Sequence, residues 1–369
     1  MSSEREAQAL LAKADKKATT FGWFGSNKFE EAAELYNKAA NIFKLGKRWK
    51  EAGDAFTKAA NMQLQLNERD DAATTFINAA KCYKKGSFEA TIYLKYQTLI
   101  IIFDPTDAIT SLKQAIEILT DRGRFQAAAG HQKDIAQIYE SDLIDLEKAM
   151  QAYEIAADWY AGEEATALAN NCLLKVATFA ATLEQYDKAI EKFEQVAAAS
   201  LDNQLTKWSL KDYFLKAGLC HIAFGDHIGA KRAIERYCDM DVTFSTTREC
   251  QFLKAILEAV ENDDIESFTN RVVEFDQLTK LDNWKTTILL RIKKSIQEGG
   301  SLTDNFQHLN ESDSVTSIPA GGLILRSINS LERRFEKSVE DMPDKLSTSV
   351  RYTELSLKKY DWEYQHPFM

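Results

Sequence analysis

Apolar residues along most of this chain recur at intervals of three and four, the period of one helix face. Ala32, Tyr36, Ala39, Ala40 and Phe43 form one such stripe. The stripes themselves repeat. Ala39-Ala40, Ala59-Ala60 and Ala79-Ala80 lie 20 residues apart, and Tyr36, Phe56 and Phe76 stand four residues before the second alanine of each pair. Farther along, Ile116, Ala136, Ala156, Val176 and Val196 hold the same 20-residue step, with Leu119, Tyr139, Trp159 and Phe179 three residues after the first four. Twenty residues accommodate one helix and one turn. Small alanines let neighbouring helices approach closely while the aromatics fill the next groove. Two units make an antiparallel hairpin close to the tetratricopeptide class. The predicted fold is all-α, a right-handed helical-hairpin solenoid with an extended concave face.

Turn signals separate the stripes: Gly46 with Lys47-Arg48, Asn67 to Asp70, Asp121 to Arg124 around Gly123, and Gly162. Asn27 with Glu30 has the spacing of a capping box for the first repeat helix. The frame slips once, because the step from Ala80 to Ile116 is 36 rather than 20. The segment 87–103 contains TIYLKYQTLIIIF, β-branched and aromatic, unlike its alanine- and charge-rich neighbours. Two readings stand at this point: a strand-like or helical excursion, or a splice or gene-model artefact absent from the major protein. After Gln297 the composition turns to Gly, Ser, Thr, Asn and Asp, which predicts a linker over 299–322. An extension over 323–369 carries one amphipathic helix, Leu323 to Met342, outside the repeat frame.

Charge and composition narrow the chemistry. The 369 residues carry a formal charge of -10, so nucleic acid is not an expected partner without a local basic patch. Prolines are scarce, and none falls between Pro105 and Pro319, as an uninterrupted helix array requires. The N-terminal MSSEREAQAL has no apolar core for a signal peptide, and no run approaches the roughly 20 apolar residues of a membrane span. A cytoplasmic location is the expectation. The five cysteines form no CxxC and read as reduced core thiols, and the five histidines form no zinc spacing. No nucleophile elbow, P-loop or dinucleotide fingerprint is present, so no catalytic residue, cofactor or metal is expected.

One short segment is not explained by packing alone. Phe21, Trp23 and Phe24 sit in a glycine-flanked stretch, 20–27, between a first amphipathic helix (Glu4 to Lys17) and the repeats. Three aromatics near Lys13, Lys16, Lys17 and Lys28 suit a loop that dips into a membrane surface, each aromatic contributing roughly 1.5–3 kcal/mol on burial. The alternative is core packing against the first hairpin.

Several features in fixed order resemble the soluble NSF attachment proteins, the alpha/beta type most closely. They are FGWFGSNKFEEA, AANIFKLGKRWKEAGDAFTKAA, TDRGRF, ANNCLLKVA, LEQYDKAI, KDYFLKAGLCH and LDNWKTTILLRIKKSIQ, and they run from about Ala7 to Gln297. The resemblance implies an all-helical adaptor, with a solenoid over 1–240 and a C-terminal helical bundle over 241–298. Several copies would wrap an assembled, syntaxin-type SNARE bundle and recruit and stimulate the N-ethylmaleimide-sensitive fusion ATPase, which disassembles the bundle. The adaptor itself would hydrolyse nothing and would sit peripherally on membranes. By the same resemblance Lys47, Arg124, Lys175, Leu205 and Lys211 would contact the SNARE surface. Glu258, Glu261, Asp263 and Asp264, extended by Glu266, would face the ATPase.

The chain also departs from that family. Two of the family's lysines are replaced, by Gly130 and Asn171, and the acidic terminal tail with its leucine gives way to a longer sequence in which Leu302 is the nearest counterpart. Two rival readings follow. One is a tetratricopeptide-like scaffold for another helical ligand, and the other is a peripheral coat or tether component working through the aromatic loop.

Overall fold

The computed structural model describes residues 2–19, 25–93, 105–201 and 206–307, with side chains described over 3–19, 28–86, 105–201 and 206–298. Among the described residues there are fourteen α-helices and no strand. The first five are α1 (Ser2–Thr19), α2 (Gly25–Leu45), α3 (Trp49–Gln65), α4 (Arg69–Tyr93) and α5 (Thr106–Asp121). Next come α6 (Phe125–Ser141), α7 (Leu146–Gly162), α8 (Thr166–Thr182), α9 (Tyr186–Ser200) and α10 (Leu210–Ala223). The last four are α11 (His227–Met240), α12 (Arg248–Glu261), α13 (Ile265–Leu278) and α14 (Asn283–Gln307). From α1 to α13 each helix packs chiefly on its chain neighbours, which makes this an all-α solenoid of antiparallel hairpins.

The 20-residue frame is the core. Ala39, Ala40, Ala59, Ala60, Ala79, Ala136, Ala156, Val176 and Val196 are all inaccessible to within 1%. Phe76 and Phe193 are wholly enclosed between helices whose alanines permit the approach. One apolar cluster runs without interruption from Ala7 to Ile296. Three of its tyrosines, and Tyr36 of a smaller cluster between α1, α2 and α3, carry the hydroxyl out to a carboxylate on another helix: Tyr36 donates to Asp15 and Tyr83 to Asp54 at 2.7 Å, Tyr153 to Glu140 at 2.8 Å, and Tyr237 to Glu194 at 2.5 Å. Each ring is buried at no cost in unpaired hydroxyls.

Most of the described turns share one construction. A single residue with left-handed backbone closes the helix, and the amide after it bonds the carbonyl five residues back: Arg48 to Phe43 at 2.9 Å, Glu68 to Gln63 at 2.9 Å, Arg124 to Leu119 at 2.8 Å and Gln185 to Ala180 at 2.8 Å. Lys47, Asn67, Ile144, Glu164 and Glu184 take φ of 54–62° without being glycine, whereas Gly123 and Gly225 fill the same role elsewhere. This is why the turns hold the helical frame with so few glycines.

Three sequence expectations shift. Helix α2 begins at Gly25, so Asn27 lies inside it and is not its cap. Residues 87–93 of the atypical segment prolong α4 as helix to Tyr93, because an established helix propagates cheaply; the remainder, 94–103, lies outside the described residues. At the far end α14 runs through Gly299 and Gly300 to Gln307, so the linker predicted from 299 starts as helix. Each glycine costs about 1 kcal/mol there, and the helix behind them is firmly docked. The described residues up to 304 belong to a first compact unit.

That docking is the least local feature of the first unit. Trp284 donates its indole N–H to the Thr178 carbonyl at 3.1 Å and sets its ring edge-on to Phe193 at 5.6 Å. Arg291 donates to the Ala181 and Thr182 carbonyls, both at 2.8 Å, capping the exposed end of α8. Lys285 lies between Asp212 at 2.7 Å and Asp282 at 3.0 Å. Ile288, Leu289, Ile292 and Ile296 bury the face between these anchors.

Candidate functional site

The site residues implied by the sequence fall into three groups that the fold treats differently. Among the cations, Lys47 and Arg124 occupy turns. Lys47 is the left-handed residue between α2 and α3, exposed and without an ion pair among the described residues. Arg124 ends the α5–α6 turn with 58% of its side chain exposed, and its nearest carboxylate, Asp70, is 3.9 Å away. Asp70 is already held by Arg122 at 2.7 Å, and Arg69 by Asp121 at 3.1 Å. The Arg124 head therefore stays available.

The other cations have internal work. Lys175, midway along α8, bonds Glu140 of α6 at 2.6 Å, and Glu140 also accepts from Tyr153. Lys211, in the first turn of α10, bonds Glu249 at 2.8 Å. The Glu249 side chain is only 9% exposed, so Lys211 neutralises a carboxylate that would otherwise be buried alone. Arg124 immediately precedes α6, and Lys175 and Lys211 lie on α8 and α10, so the three mark alternate helices, which in a hairpin array share one layer. Leu205 lies outside the described residues.

Close to Lys211 is a residue that the sequence reading passed over. Trp208, in the short 3-10 turn Lys207–Ser209, is 86% exposed, flanked by Lys207, which makes no ion pair among the described residues. A tryptophan is ordinarily counted toward the core, and its neighbours Leu210 and Phe214 are buried, so composition alone could not expose it. The only available signal was its position between two helical stripes.

The acidic group sits at one corner. Glu258 and Glu261 are exposed on the last turns of α12, Asp263 is the left-handed residue of the turn, and Asp264 caps α13 by accepting from the Ser267 amide at 2.8 Å. Glu266 follows in the first turn of α13. None of the five makes an ion pair among the described residues. Asp264 and Glu266 line a shallow depression on α13 with Ser267, Asn270, Arg271 and Glu274.

The aromatic group, Phe21, Trp23 and Phe24, lies outside the described residues, between the end of α1 and the start of α2. Of the lysines around it, Lys17 is paired with Glu31 and Lys28 stands over the Phe29 ring at 4.8 Å. Among the described residues no cluster of three or more potential ligands forms a metal site, and no helix is long and apolar enough to cross a membrane.

A family profile described as Soluble NSF attachment protein, SNAP, matches residues 5–297. The chain belongs to the soluble NSF attachment protein family. It is 49% identical over 303 residues to the bovine (Bos taurus) beta-soluble NSF attachment protein, covering 80% of this chain and 96% of that one. The human (Homo sapiens) alpha-soluble NSF attachment protein is 48% identical over 300 residues, with the same two shares. The vesicular-fusion protein SEC17 of Coprinopsis cinerea is 47% identical over 306 residues, 82% of this chain and 100% of that one. The family match thus ends at residue 297, within α14.

Proposed function

We propose that this chain is a non-enzymatic adaptor that grips assembled SNARE bundles and presents them to the N-ethylmaleimide-sensitive fusion ATPase, stimulating ATP-driven disassembly in vesicle traffic. The observation that carries the reading is the acidic corner of α12 and α13, five exposed carboxylates without an ion pair among the described residues, in a chain whose available cations, Lys47 and Arg124, lie on turns elsewhere in the array. Complementary charge of this kind orients encounter more than it sets affinity.

The cations also speak to the shape of the ligand. Successive turns of a hairpin array alternate between its two edges, so Lys47 (α2–α3) and Arg124 (α5–α6) are on opposite edges. A helix of 17 residues, the length of α3 and α6, spans about 25 Å. A single helix is roughly 10–12 Å wide, and two side by side in a four-helix bundle match the width of the array. Trp208, on the α9–α10 turn, shares the Arg124 edge and supplies the rigid apolar anchor that such an interface favours. Phe21, Trp23 and Phe24 would add reversible membrane attachment, holding the adaptor peripherally on the cytoplasmic face.

The test is a binding survey with the full chain, comparing a preassembled four-helix SNARE bundle with each helix alone. The adaptor reading predicts preference for the bundle, steep loss of affinity with salt, and several-fold weakening by Arg124→Glu. Preference for single helices would favour the scaffold reading instead. Loss of membrane recruitment on replacing Phe21, Trp23 and Phe24 by serine, with no SNARE binding at all, would favour a coat or tether component.

A further inference from the structure

Four of the five cysteines are buried, and two meet. Cys238, half-buried in the last turn of α11, and Cys250, fully buried in the first turn of α12, bring their sulfurs to 3.6 Å. Among the described residues no other pair of thiols is in contact. We propose that Cys238 and Cys250 form a redox modification site that closes an intrachain disulfide between α11 and α12 when the protein meets a peroxide.

The geometry assigns the order of events. Cys238 is the more exposed residue of the pair, so its sulfur attacks the peroxide, breaking the O–O bond to give a sulfenic acid and, with the thiol proton, water. Cys250 is held as the thiol at neutral pH, because burial and the adjoining Cys238 push its pKa up to about 11. It is a poor first reactant but is already beside the sulfenic sulfur. Its sulfur attacks, the S–S bond forms, the S–O bond breaks, and hydroxide leaves with the thiol proton as a second water. In sum two thiols and one peroxide give one disulfide and two waters, the peroxide taking the electron pair from sulfur.

The approach from 3.6 Å to bonding distance is about 1.5 Å. Both residues lie at helix ends, where the chain adjusts most readily, joined by a link whose Val242, Thr243, Ser245 and Thr246 are exposed. The bond would close a short covalent ring around Phe244 and pin the corner from which α12 carries Glu258 and Glu261.

The chain supplies its own assay. Trypsin cuts after Arg236, Arg248 and Lys254, so the two cysteines fall in separate peptides, 237–248 and 249–254. Folded full-length protein is treated with dilute hydrogen peroxide, alkylated, denatured, and digested without reductant. The expected products are the two peptides joined by a disulfide and a fall in titratable thiols from five to three, both reversed by dithiothreitol. In the Cys238→Ser variant the linked species should be absent and its four thiols should persist. Three results would overturn the proposal: five surviving thiols, Cys238 carried on to sulfinic or sulfonic acid beside a free Cys250, or disulfides joining other cysteines.

Discussion

Replacing Arg291 by methionine removes the fork that ties α14 to α8 while keeping most of its apolar stem. The wild-type guanidinium makes two hydrogen bonds of 2.8 Å to carbonyls at the last turn of α8. Hydrogen bonds to a charged group contribute about 1.5–3 kcal/mol each, and the cation at a helix C-terminus adds about 0.3–1 kcal/mol. Its further contact with Glu184, 3.5 Å away and two-thirds exposed, adds little. Water regains the freed carbonyls in part, so the expected loss is about 2–4 kcal/mol. Urea unfolding followed by tryptophan fluorescence measures it, and amide exchange over 283–296 locates it. Lys294→Met is the control, because Lys294 is exposed and faces only Glu298 at 3.6 Å; it should cost under about 0.5 kcal/mol. If Arg291→Met matched that control, with exchange in α14 unchanged, the docking described for this helix would be wrong.

Other consequences can be checked with the same equipment. Lys211→Ala should cost about 1–3 kcal/mol by leaving the Glu249 carboxylate buried and unpaired, whereas Arg124→Glu should leave the urea midpoint unchanged; a stable Lys211→Ala would refute the structural role assigned to that pair. Any loss of SNARE binding in a Lys211 variant therefore needs its stability measured beside it. Ile144→Gly relieves a β-branched residue at φ 54°, a strain of roughly 1–2 kcal/mol offset by about 0.5–1 kcal/mol of glycine entropy, so a small gain in thermal midpoint is expected and a clear loss would contradict it. Gly218→Ala would set a methyl 2.7 Å from Leu253, so a loss of about 1–3 kcal/mol is expected, and an unchanged midpoint would show that α10 and α12 have room to part.

The Lys285 clasp also has a pH signature. Burial raises the Asp212 carboxyl, but hydrogen bonding and charge from Lys285 and Lys216 outweigh it and leave the pKa below the usual range. Stability from that group is complete above its unfolded pKa and is lost as pH falls through the lower folded one. Burial lowers Lys285, yet Asp212 and Asp282 raise it beyond its ordinary value. Its contribution is complete below the unfolded pKa and disappears as pH rises through the folded one. Asp212→Asn should therefore flatten the acid limb of the stability profile, and an identical limb in the variant would remove Asp212 from the account.

Most of the fold was legible because it is local. A helix that buries Ala39, Ala40 and Tyr36 against its chain neighbours must repeat its stripe at the neighbour's spacing, and the 20-residue step writes that requirement into the sequence. The turns were legible for the same reason, although a left-handed Ile144 or Glu184 carries no glycine to announce it. What escaped was long-range. The contact of Trp284 with Thr178 spans 106 residues, and no periodicity links the two. Lys211 read as a surface cation because its partner, Glu249, is on another helix, and only the fold shows that Glu249 is enclosed. Trp208 escaped for the opposite reason, since its size argued for burial and its turn position decided against it. The glycine pair at 299–300 read as a break, but the anchored helix preceding it carries through.

The acidic corner, by contrast, was visible as residues yet not as a surface; the turn at Asp263 and the cap at Asp264 are what bring Glu258, Glu261 and Glu266 to one place. The claim that this corner and the basic groups on the array serve one adaptor is tested most directly by disassembly itself. A preformed SNARE complex is incubated with the N-ethylmaleimide-sensitive fusion ATPase, ATP and this full chain as sole adaptor. The account predicts disassembly well above an adaptor-free control, abolished by reversing Glu258, Glu261, Asp263 and Asp264 to lysine. Folded protein that supports no disassembly, or a charge-reversed corner that supports it fully, would contradict the account.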